Sequence, residues 1–250
     1  MIQLKSQREI EIMARGGKIL ADTVKLMERS VKPGMTTADL DRIAEDFIRS
    51  HDGATPSFKG LYNFPASICS SINHEIVHGI PSKKRVLYEG DVVSIDVGVF
   101  YEGYHTDSAT TVAVGAVNDE SRRLLDVTRE ALNAGVAVAR AGNHLGDIGA
   151  AVQAVVENAG FSVVRDLVGH GIGTGLHEEP QVPNYGKPSR GIRLVPGLTI
   201  AIEPMVNVGK PGIRTMPDKW TVVTIDGKRS AHFEHTVAIT ENGPRILTAA

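Results

Sequence analysis

The chain has 250 residues, of which 42% are hydrophobic and 22% are charged, as is ordinary for a globular protein. Its formal net charge of −2 gives no electrostatic reason to expect nucleic acid or a membrane surface as the main partner. A single cysteine excludes an intrachain disulfide, and without a run of about 18 apolar residues no membrane span is predicted.

The predicted elements begin with a helix. Ser6-Gln7-Arg8-Glu9 has the pattern of a capping box and predicts a helix that continues to about Glu28. After a Pro-Gly break, Thr36 or Thr37 caps a second helix, and residues 52–66 predict a loop. The later predictions are strands near 67–79 and 91–114, helices at about 119–140 and 146–159, and strand-like runs near 161–169, 198–207, 219–225 and 232–240.

The chain contains two pairs of similar segments at almost the same spacing. The segment that starts at residue 33 resembles the one that starts at 141, and residues 89–96 resemble residues 196–203, ending on an acid in both copies. This repeat predicts an α+β fold of two similar halves, each with a pair of helices on an antiparallel sheet. Such halves can face each other across a pseudo-two-fold cleft into which both acids point.

The segment IDVGVFYEGYHTD, residues 95–107, lies in a run that predicts a β-hairpin. With a turn at Glu102-Gly103, Asp96 and Asp107 lie diagonally on one face of the sheet. A turn one residue earlier makes them face each other directly, whereas a three-residue loop or a bulge separates them. Because like charges so placed repel and raise each other's pKa, a cation is predicted between them.

The second half of the chain supplies further polar groups. His170 and His177 lie among four glycines in GHGIGTGLHEEP, Glu203 lies in an apolar strand, and Glu234 precedes a β-rich run. Each acid alone also fits an ordinary charge at a strand end. Four carboxylates at apolar strand positions together with an imidazole favour a metal site. Two divalent cations match the four negative charges, and a hydroxide that they share is a strong nucleophile near neutral pH.

Three other motifs offer alternatives to this metal site. HEIVH, residues 74–78, fits the zincin pattern, which requires both histidines on one face of a helix. Pro81 follows three residues later and disfavours a helix here, so a strand is predicted. In a strand, His74 and His78 would share a face. The glycines of GHGIGTG do not give the G-x-G-x-x-G pattern of dinucleotide binding. Cys69 as a nucleophile is the weaker interpretation, because structural thiols are more common.

Five motifs in chain order resemble those of type I methionine aminopeptidases, whose fold is called the pita-bread fold. They are NHEIVHGIP, IDVGVFYEGYHTD, GHGIGTGLHEEPQVPNY, TIAIEPMV and FEHT. The resemblance implies one metallopeptidase catalytic domain, residues 1–250, with two pseudo-two-fold related halves of antiparallel sheet covered by helices. It also implies hydrolytic removal of the N-terminal methionine from nascent proteins and peptides with a small second residue, and the short bacterial form fits best.

The resemblance assigns the polar residues to roles. It implies two divalent ions, of Co, Mn, Fe or Zn, held by Asp96, Asp107, His170, Glu203 and Glu234. Asp107 and Glu234 would bridge the ions, and Glu203 would manage the proton of the attacking water. His78 would contact the scissile amide, and His177 would bind the carbonyl oxygen and stabilise the tetrahedral intermediate. His74 matches no role and is expected at the surface or behind the ligands.

The same resemblance places six side chains around the methionine side chain, which requires an apolar, polarisable slot. They are Phe58, Leu61, Phe64, Cys69, Leu176 and Trp220. Plain packing is the alternative for Trp220, and Phe58 and Leu61 stand where many bacterial relatives have Cys and Tyr. We further expect a cytoplasmic monomer that associates transiently with the ribosome and binds neither specific nucleic acid nor a membrane.

Two alternatives to this function stay open at the level of sequence. A proline-specific peptidase of the same clan shares the fold, although such enzymes usually carry an additional N-terminal domain. A metal-free binding module with this fold would have lost ligands, whereas all five are present here. Peptide specificity separates the first alternative, and metal content with activity after chelation separates the second.

Overall fold

The computed structural model describes residues 2–249, and this part of the chain contains four α-helices arranged as two pairs. They are α1 (Gln7–Ser30), α2 (Thr37–Arg49), α3 (Asp119–Val138) and α4 (Leu145–Asn158). The predicted capping box begins α1, since the Ser6 amide donates to the Glu9 carboxylate at 2.7 Å. Thr36, rather than Thr37, is the cap of α2.

Fifteen strands lie within the same residues, and every strand pair is antiparallel. They are β1 (Ala54–Pro56), β2 (Ile68–Ile72), β3 (Glu75–Val77), β4 (Val92–Tyr101), β5 (Tyr104–Ala113), β6 (Ser162–Val163), β7 (Gly169–Gly171), β8 (Glu178–Val182), β9 (Thr199–Ile202), β10 (Met205–Asn207), β11 (Ile213–Thr215), β12 (Val222–Thr224), β13 (Ser230–His232), β14 (His235–Thr240) and β15 (Gly243–Ile246). The short strands β1, β8, β11 and β15 were not predicted.

The first sheet is built on the predicted hairpin. β4 pairs with β5 on one side and with β1 and β2 on the other. Of the two hairpin registers, the first is confirmed, because Gly98 pairs with Asp107 and Asp96 pairs with Ala109 across the Glu102-Gly103 turn. The two acids therefore lie diagonally on one face, and direct pairing of Asp96 with Asp107 is wrong.

The second sheet has the strand order β15-β14-β9-β7-β8. Two smaller sheets, β13-β10-β6 and β11-β12-β3, connect it to the first half of the molecule. One buried cluster joins α1 and α2 to the first sheet, with Leu20, Leu40 and Ile95 among its members. Another joins α3 and α4 to the second sheet, with Leu132 among its members. The prediction of two α+β halves is therefore confirmed.

The internal repeat is also visible in the hydrogen bonds. Gly34 donates to the Leu87 carbonyl at 2.8 Å, and the equivalent Gly142 donates to the Leu194 carbonyl at 2.9 Å. Both glycines have a positive φ, +87° and +96°, which glycine adopts without steric cost. The loops that precede β4 and β9 are thus anchored in the same way beside the start of a helix, α2 and α4 respectively.

Candidate metal centre

A cavity of about 480 Å³ opens between the two sheets. All thirteen site residues predicted from the sequence line it. They are Phe58, Leu61, Phe64, Cys69, His78, Asp96, Asp107, His170, Leu176, His177, Glu203, Trp220 and Glu234. Its volume falls within the range of about 300–1,000 Å³ that is typical of small-molecule sites.

The four acids reach this cavity from both halves of the fold. Asp96 lies on β4 and Asp107 on β5, and their hairpin register puts both on one face. Glu203 directly follows β9, and Glu234 directly precedes β14. The two glutamates therefore lie one position beyond the His235–Ile202 pair that ends the β9–β14 pairing. Each half therefore contributes two neighbouring carboxylates on adjacent strands.

A seam of hydrogen bonds holds the two halves together beside the acids. The Glu234 amide donates to the Ala109 carbonyl at 3.0 Å, and the Asp107 amide donates to Thr236 Oγ1 at 2.8 Å. Ser108 Oγ donates to the Glu234 carbonyl, also at 2.8 Å. Because the backbone of each acid is bonded to the opposite half, Asp107 and Glu234 are held close to each other.

The electrostatics of the acids indicate that a cation belongs among them. Burial raises the pKa of Asp107 well above its ordinary value, and the charges of Glu234 and Asp96 raise it further. Burial likewise raises the pKa of Asp96 to about 7. Asp96 Oδ1, Asp107 Oδ1 and Glu234 Oε1 are buried and have no hydrogen-bond partner within residues 2–249. Buried oxygens of this kind are costly unless they are bonded, and a divalent cation satisfies them.

An imidazole completes a group that can hold a metal ion. Asp107, His170 and Glu234 each offer one ligand atom, and these atoms lie within 4.8 Å of one another. His170 Nδ1 is 2.8 Å from the Gly171 carbonyl, which can only accept, so Nδ1 carries the proton and Nε2 presents a lone pair. Glu203 Oε1 is 3.6 Å from that Nε2. The donor set of carboxylates and one imidazole suits a divalent transition metal.

Comparison with known proteins agrees with this chemistry. The model of metallopeptidase family M24 matches residues 11–241. The chain is 54% identical to a methionine aminopeptidase of Clostridium acetobutylicum and 53% identical to methionine aminopeptidase 1 of Bacillus subtilis, in each case over 99% of both chains.

This chain belongs to metallopeptidase family M24.

Solved structures of other peptidases have a similar fold. A methionine aminopeptidase from Thermotoga maritima superimposes with a TM-score of 0.98 at 44% identity and covers all of both chains. An Xaa-Pro dipeptidase from Bacillus anthracis gives a TM-score of 0.78 at 23% identity, and the match covers 62% of that chain, so this likeness concerns the fold alone. The predicted pita-bread fold is confirmed.

Two further histidines of this M24 protein line the cavity. His177 lies beside His170, with ring centroids 4.5 Å apart, and burial lowers the pKa of His177. His78 has a positive φ of +60°, and burial, followed by the charge of His177, lowers its pKa to about 4. Both rings are therefore neutral near pH 7, and each carries one N–H that can donate.

The zincin alternative is excluded in this M24 chain. The middle of HEIVH, Glu75–Val77, forms strand β3 rather than a helix, which confirms the predicted strand. The expectation that His74 and His78 share a face of this strand is wrong, because the strand includes neither residue and His78 turns into the left-handed region. His74 is exposed, as expected, while His78 lines the cavity.

The apolar wall of the M24 cavity is built around an aromatic pair. The rings of Phe64 and Trp220 meet edge to face with centroids 5.0 Å apart. Cys69 lies on β2 directly opposite Asp96, and burial and the nearby acids raise the pKa of its thiol well above the ordinary value. A thiol that resists ionisation is a poor nucleophile, which argues against the Cys69 alternative.

Sequence reasoning missed some of the residues at this site. Six further residues line the cavity: Tyr62, Val168, Gly169, Glu178, Glu179 and Gln181. Tyr62 is 68% exposed and stacks on His177 with ring centroids 6.1 Å apart. His232 is 1% exposed, and its Nε2 lies 3.8 Å from Glu203 Oε2. The spacing could have identified His232, because the strand-like run predicted near residues 232–240 places it on the same face as Glu234.

Proposed function

We propose that this M24 metallopeptidase is a methionyl aminopeptidase, which hydrolytically removes the N-terminal methionine from nascent proteins and peptides with a small second residue. The observation that carries the proposal is that the acids and histidines share one cavity with an apolar slot. The cluster supplies hydrolytic chemistry, and the slot accommodates an unbranched apolar side chain. Relatives at 53% and 54% identity are named as methionine aminopeptidases, which supports this specificity.

The proposed metal ligands are the five residues Asp96, Asp107, His170, Glu203 and Glu234, which would hold two divalent ions of Mn, Fe, Co or Zn. The fit is supported by the buried, unpartnered carboxylate oxygens and by the group formed by Asp107, His170 and Glu234. When bound, the ions supply a water of lowered pKa and an electrophile for the substrate carbonyl. The resemblance to methionine aminopeptidases implies that Asp107 and Glu234 would be shared by both ions, and the backbones of these two residues lie at the seam between the halves.

The protein side chains would orient the peptide and move protons. His177 is a neutral N–H donor at the cavity wall, suited to hydrogen-bond the carbonyl oxygen as negative charge develops there. His78 is proposed to contact the scissile amide. Glu203, which lines the same cavity, is proposed to take the proton of the attacking water and return it.

The apolar slot would select methionine. Phe58, Leu61, Phe64 and Leu176 give it an apolar surface, and Trp220 closes it against Phe64. A methionine side chain is flexible and makes favourable sulfur–aromatic contacts, so aromatic walls bind it well. A polar or charged first residue would lose its hydration on entering this slot without gaining a partner.

The cellular setting follows from this substrate. A nascent chain presents its N-terminus at the ribosome, so we propose transient association with the ribosome, in the cytoplasm and as a monomer. Within residues 2–249, no helix combines the length and the apolar character needed to cross a membrane.

The proposal is tested with a peptide panel and with chelation. Metal-free protein is assayed on Met-Ala-Ser, Leu-Ala-Ser and an Xaa-Pro peptide, before and after addition of Mn²⁺, Fe²⁺, Co²⁺ or Zn²⁺. We expect cleavage of Met-Ala-Ser only, with activity that is lost in EDTA and restored by metal. Preferred cleavage of the Xaa-Pro peptide would identify a proline-specific enzyme instead. Full activity in strong chelator would exclude the metallohydrolase.

A further inference from the structure

His232 is a buried imidazole beside the metal centre that the proposed reaction leaves without a role. It lies on β13, and its backbone is fixed on both sides, since its amide donates to Thr111 Oγ1 at 2.9 Å and its carbonyl accepts from the same hydroxyl at 2.8 Å. Only 1% of the residue is exposed, yet neither ring nitrogen has a hydrogen-bond partner among the described residues. The seam between the halves therefore holds the backbone of His232 in place beside the acids.

The ring points at the acids. His232 Nε2 lies 3.8 Å from Glu203 Oε2 and 3.9 Å from Glu234 Oε2. The other oxygen of Glu203, Oε1, lies 3.6 Å from His170 Nε2. The Glu203 carboxylate thus stands between two imidazoles, with one oxygen facing His170 and the other facing His232.

The two imidazoles differ in what they can offer this carboxylate. The Nδ1 proton of His170 is bound to the Gly171 carbonyl, which leaves Nε2 as a lone-pair donor to a metal. No such partner fixes His232, so its neutral ring can place the proton on Nε2 and donate it. A carboxylate that binds a metal through one oxygen is commonly hydrogen-bonded through the other, and that bond orients it. Closing the 3.8 Å separation to hydrogen-bond length requires a shift of about 1 Å.

We propose that His232 is a positioning residue of the metal centre. Its Nε2–H holds Oε2 of Glu203, so that Oε1 is directed to the same side as His170. This inference rests on the proposed function, because it takes Glu203 as a metal ligand. In this role His232 does not bind the metal itself and acts on the metal centre by orienting the Glu203 carboxylate.

The experiment measures metal affinity directly. Isothermal titration of metal-free protein with Mn²⁺ is carried out on the wild type, His232→Gln, His232→Asn and His232→Leu. Glutamine can place an amide N–H close to the position of Nε2, asparagine is too short to reach it, and leucine has no donor. We expect His232→Gln to stay within about threefold of the wild-type affinity, and the other two variants to lose about 10–100-fold, the scale for removing a hydrogen bond to a metal ligand.

A matched control comes from the same segment. His235 is also a histidine largely removed from solvent, but its Nδ1 lies 3.0 Å from Thr248 Oγ1, and it lines a different cavity. His235→Gln should bind Mn²⁺ like the wild type. Thermal unfolding of the metal-free proteins checks that each variant is folded, and if His232→Leu does not fold, the Gln and Asn variants still decide the question.

The outcomes are distinguishable. Wild-type affinity in His232→Asn and His232→Leu would overturn the positioning role. Equal losses in His232→Gln and His232→Asn would also overturn it, because the imidazole itself would then be required. If the wild type neither binds Mn²⁺ nor cleaves Met-Ala-Ser, the proposed function has failed. If the wild type does both while all three variants match it in affinity, only the inference about His232 has failed.

Discussion

The burial of the acids leads to a quantitative prediction about how the stability of the metal-free protein depends on pH. Burial raises the pKa of Asp96 from an ordinary value of 3.8 to about 7. When folding raises the pKa of an acid, the protonated acid favours the folded state. This contribution to the free energy of unfolding is complete below the unfolded pKa and is lost as the pH rises through the folded pKa. The metal-free protein should therefore lose stability between about pH 4 and pH 7.

The size of the loss follows from the two pKa values. At about 1.4 kcal/mol for each pH unit, a rise from 3.8 to about 7 corresponds to about 4 kcal/mol. Asp96→Asn replaces the acid with an amide that does not ionise, so its free energy of unfolding should lack this contribution. The variant should be more stable than the wild type at pH 8 without metal, even though it loses a proposed ligand.

Urea unfolding of both proteins at pH 4, 5, 6, 7 and 8, after exhaustive removal of metal, tests this. The difference between their free energies of unfolding should change by about 4 kcal/mol between pH 4 and pH 8. A repeat with excess Mn²⁺ at pH 8 should reverse the order of stability, because the metal stabilises the folded wild type. Parallel pH curves for the two metal-free proteins would show that Asp96 is not desolvated as described.

Three further predictions concern catalysis, specificity and packing. His177→Ala should lower kcat on Met-Ala-Ser by about 10²–10³, the scale for losing one donor to a developing oxyanion, and an unchanged kcat would contradict that role. Trp220→Ala should lower kcat/KM for this peptide by about 10–200-fold, because apolar contact with the methionine side chain is lost. If kcat/KM is retained and only the free energy of unfolding falls, Trp220 has a packing role alone. Gly17→Ala should lower the urea midpoint, because a Cβ at this position would lie 2.1 Å from the Leu247 carbonyl oxygen. This loss should occur although alanine is more favourable than glycine in a helix by about 1 kcal/mol. The control Lys18→Ala, on the exposed face of the same helix, should not lower the midpoint.

The parts of the fold that could be predicted are those with strong local signals. The capping box at Ser6 fixed the start of α1, and the hairpin register followed once Glu102-Gly103 formed the turn, since the side-chain period of two then places Asp96 and Asp107 on one face. The repeat was readable because both copies contain a glycine in the left-handed region at the same position, Gly34 and Gly142.

The parts that could not be predicted depend on long-range packing. β8 contains Pro180 and two glutamates, a composition that disfavours a strand, yet pairing with β7 makes it one. Tyr62 adopts a positive φ of +49° at the cavity rim, which no local rule predicts for an aromatic residue. His78 could be assigned to the site only through the family resemblance. Its backbone has a positive φ, so strand alternation does not determine the direction of its side chain, which lines the cavity.

The two halves of the fold contribute different chemistry to one cavity. The first half supplies two carboxylates and aromatic walls such as Phe58 and Phe64, whereas the second supplies the other two carboxylates together with His170 and His177. Because His170 and two of the acids lie in the second half and the other two acids in the first, the proposed metal centre requires that the halves are docked along the Asp107–Glu234 seam. Docking without metal brings four carboxylates together in a buried place and is opposed by desolvation and repulsion. A metal ion bound at the proposed site would remove that opposition, and by linkage it would also stabilise the contact between the halves.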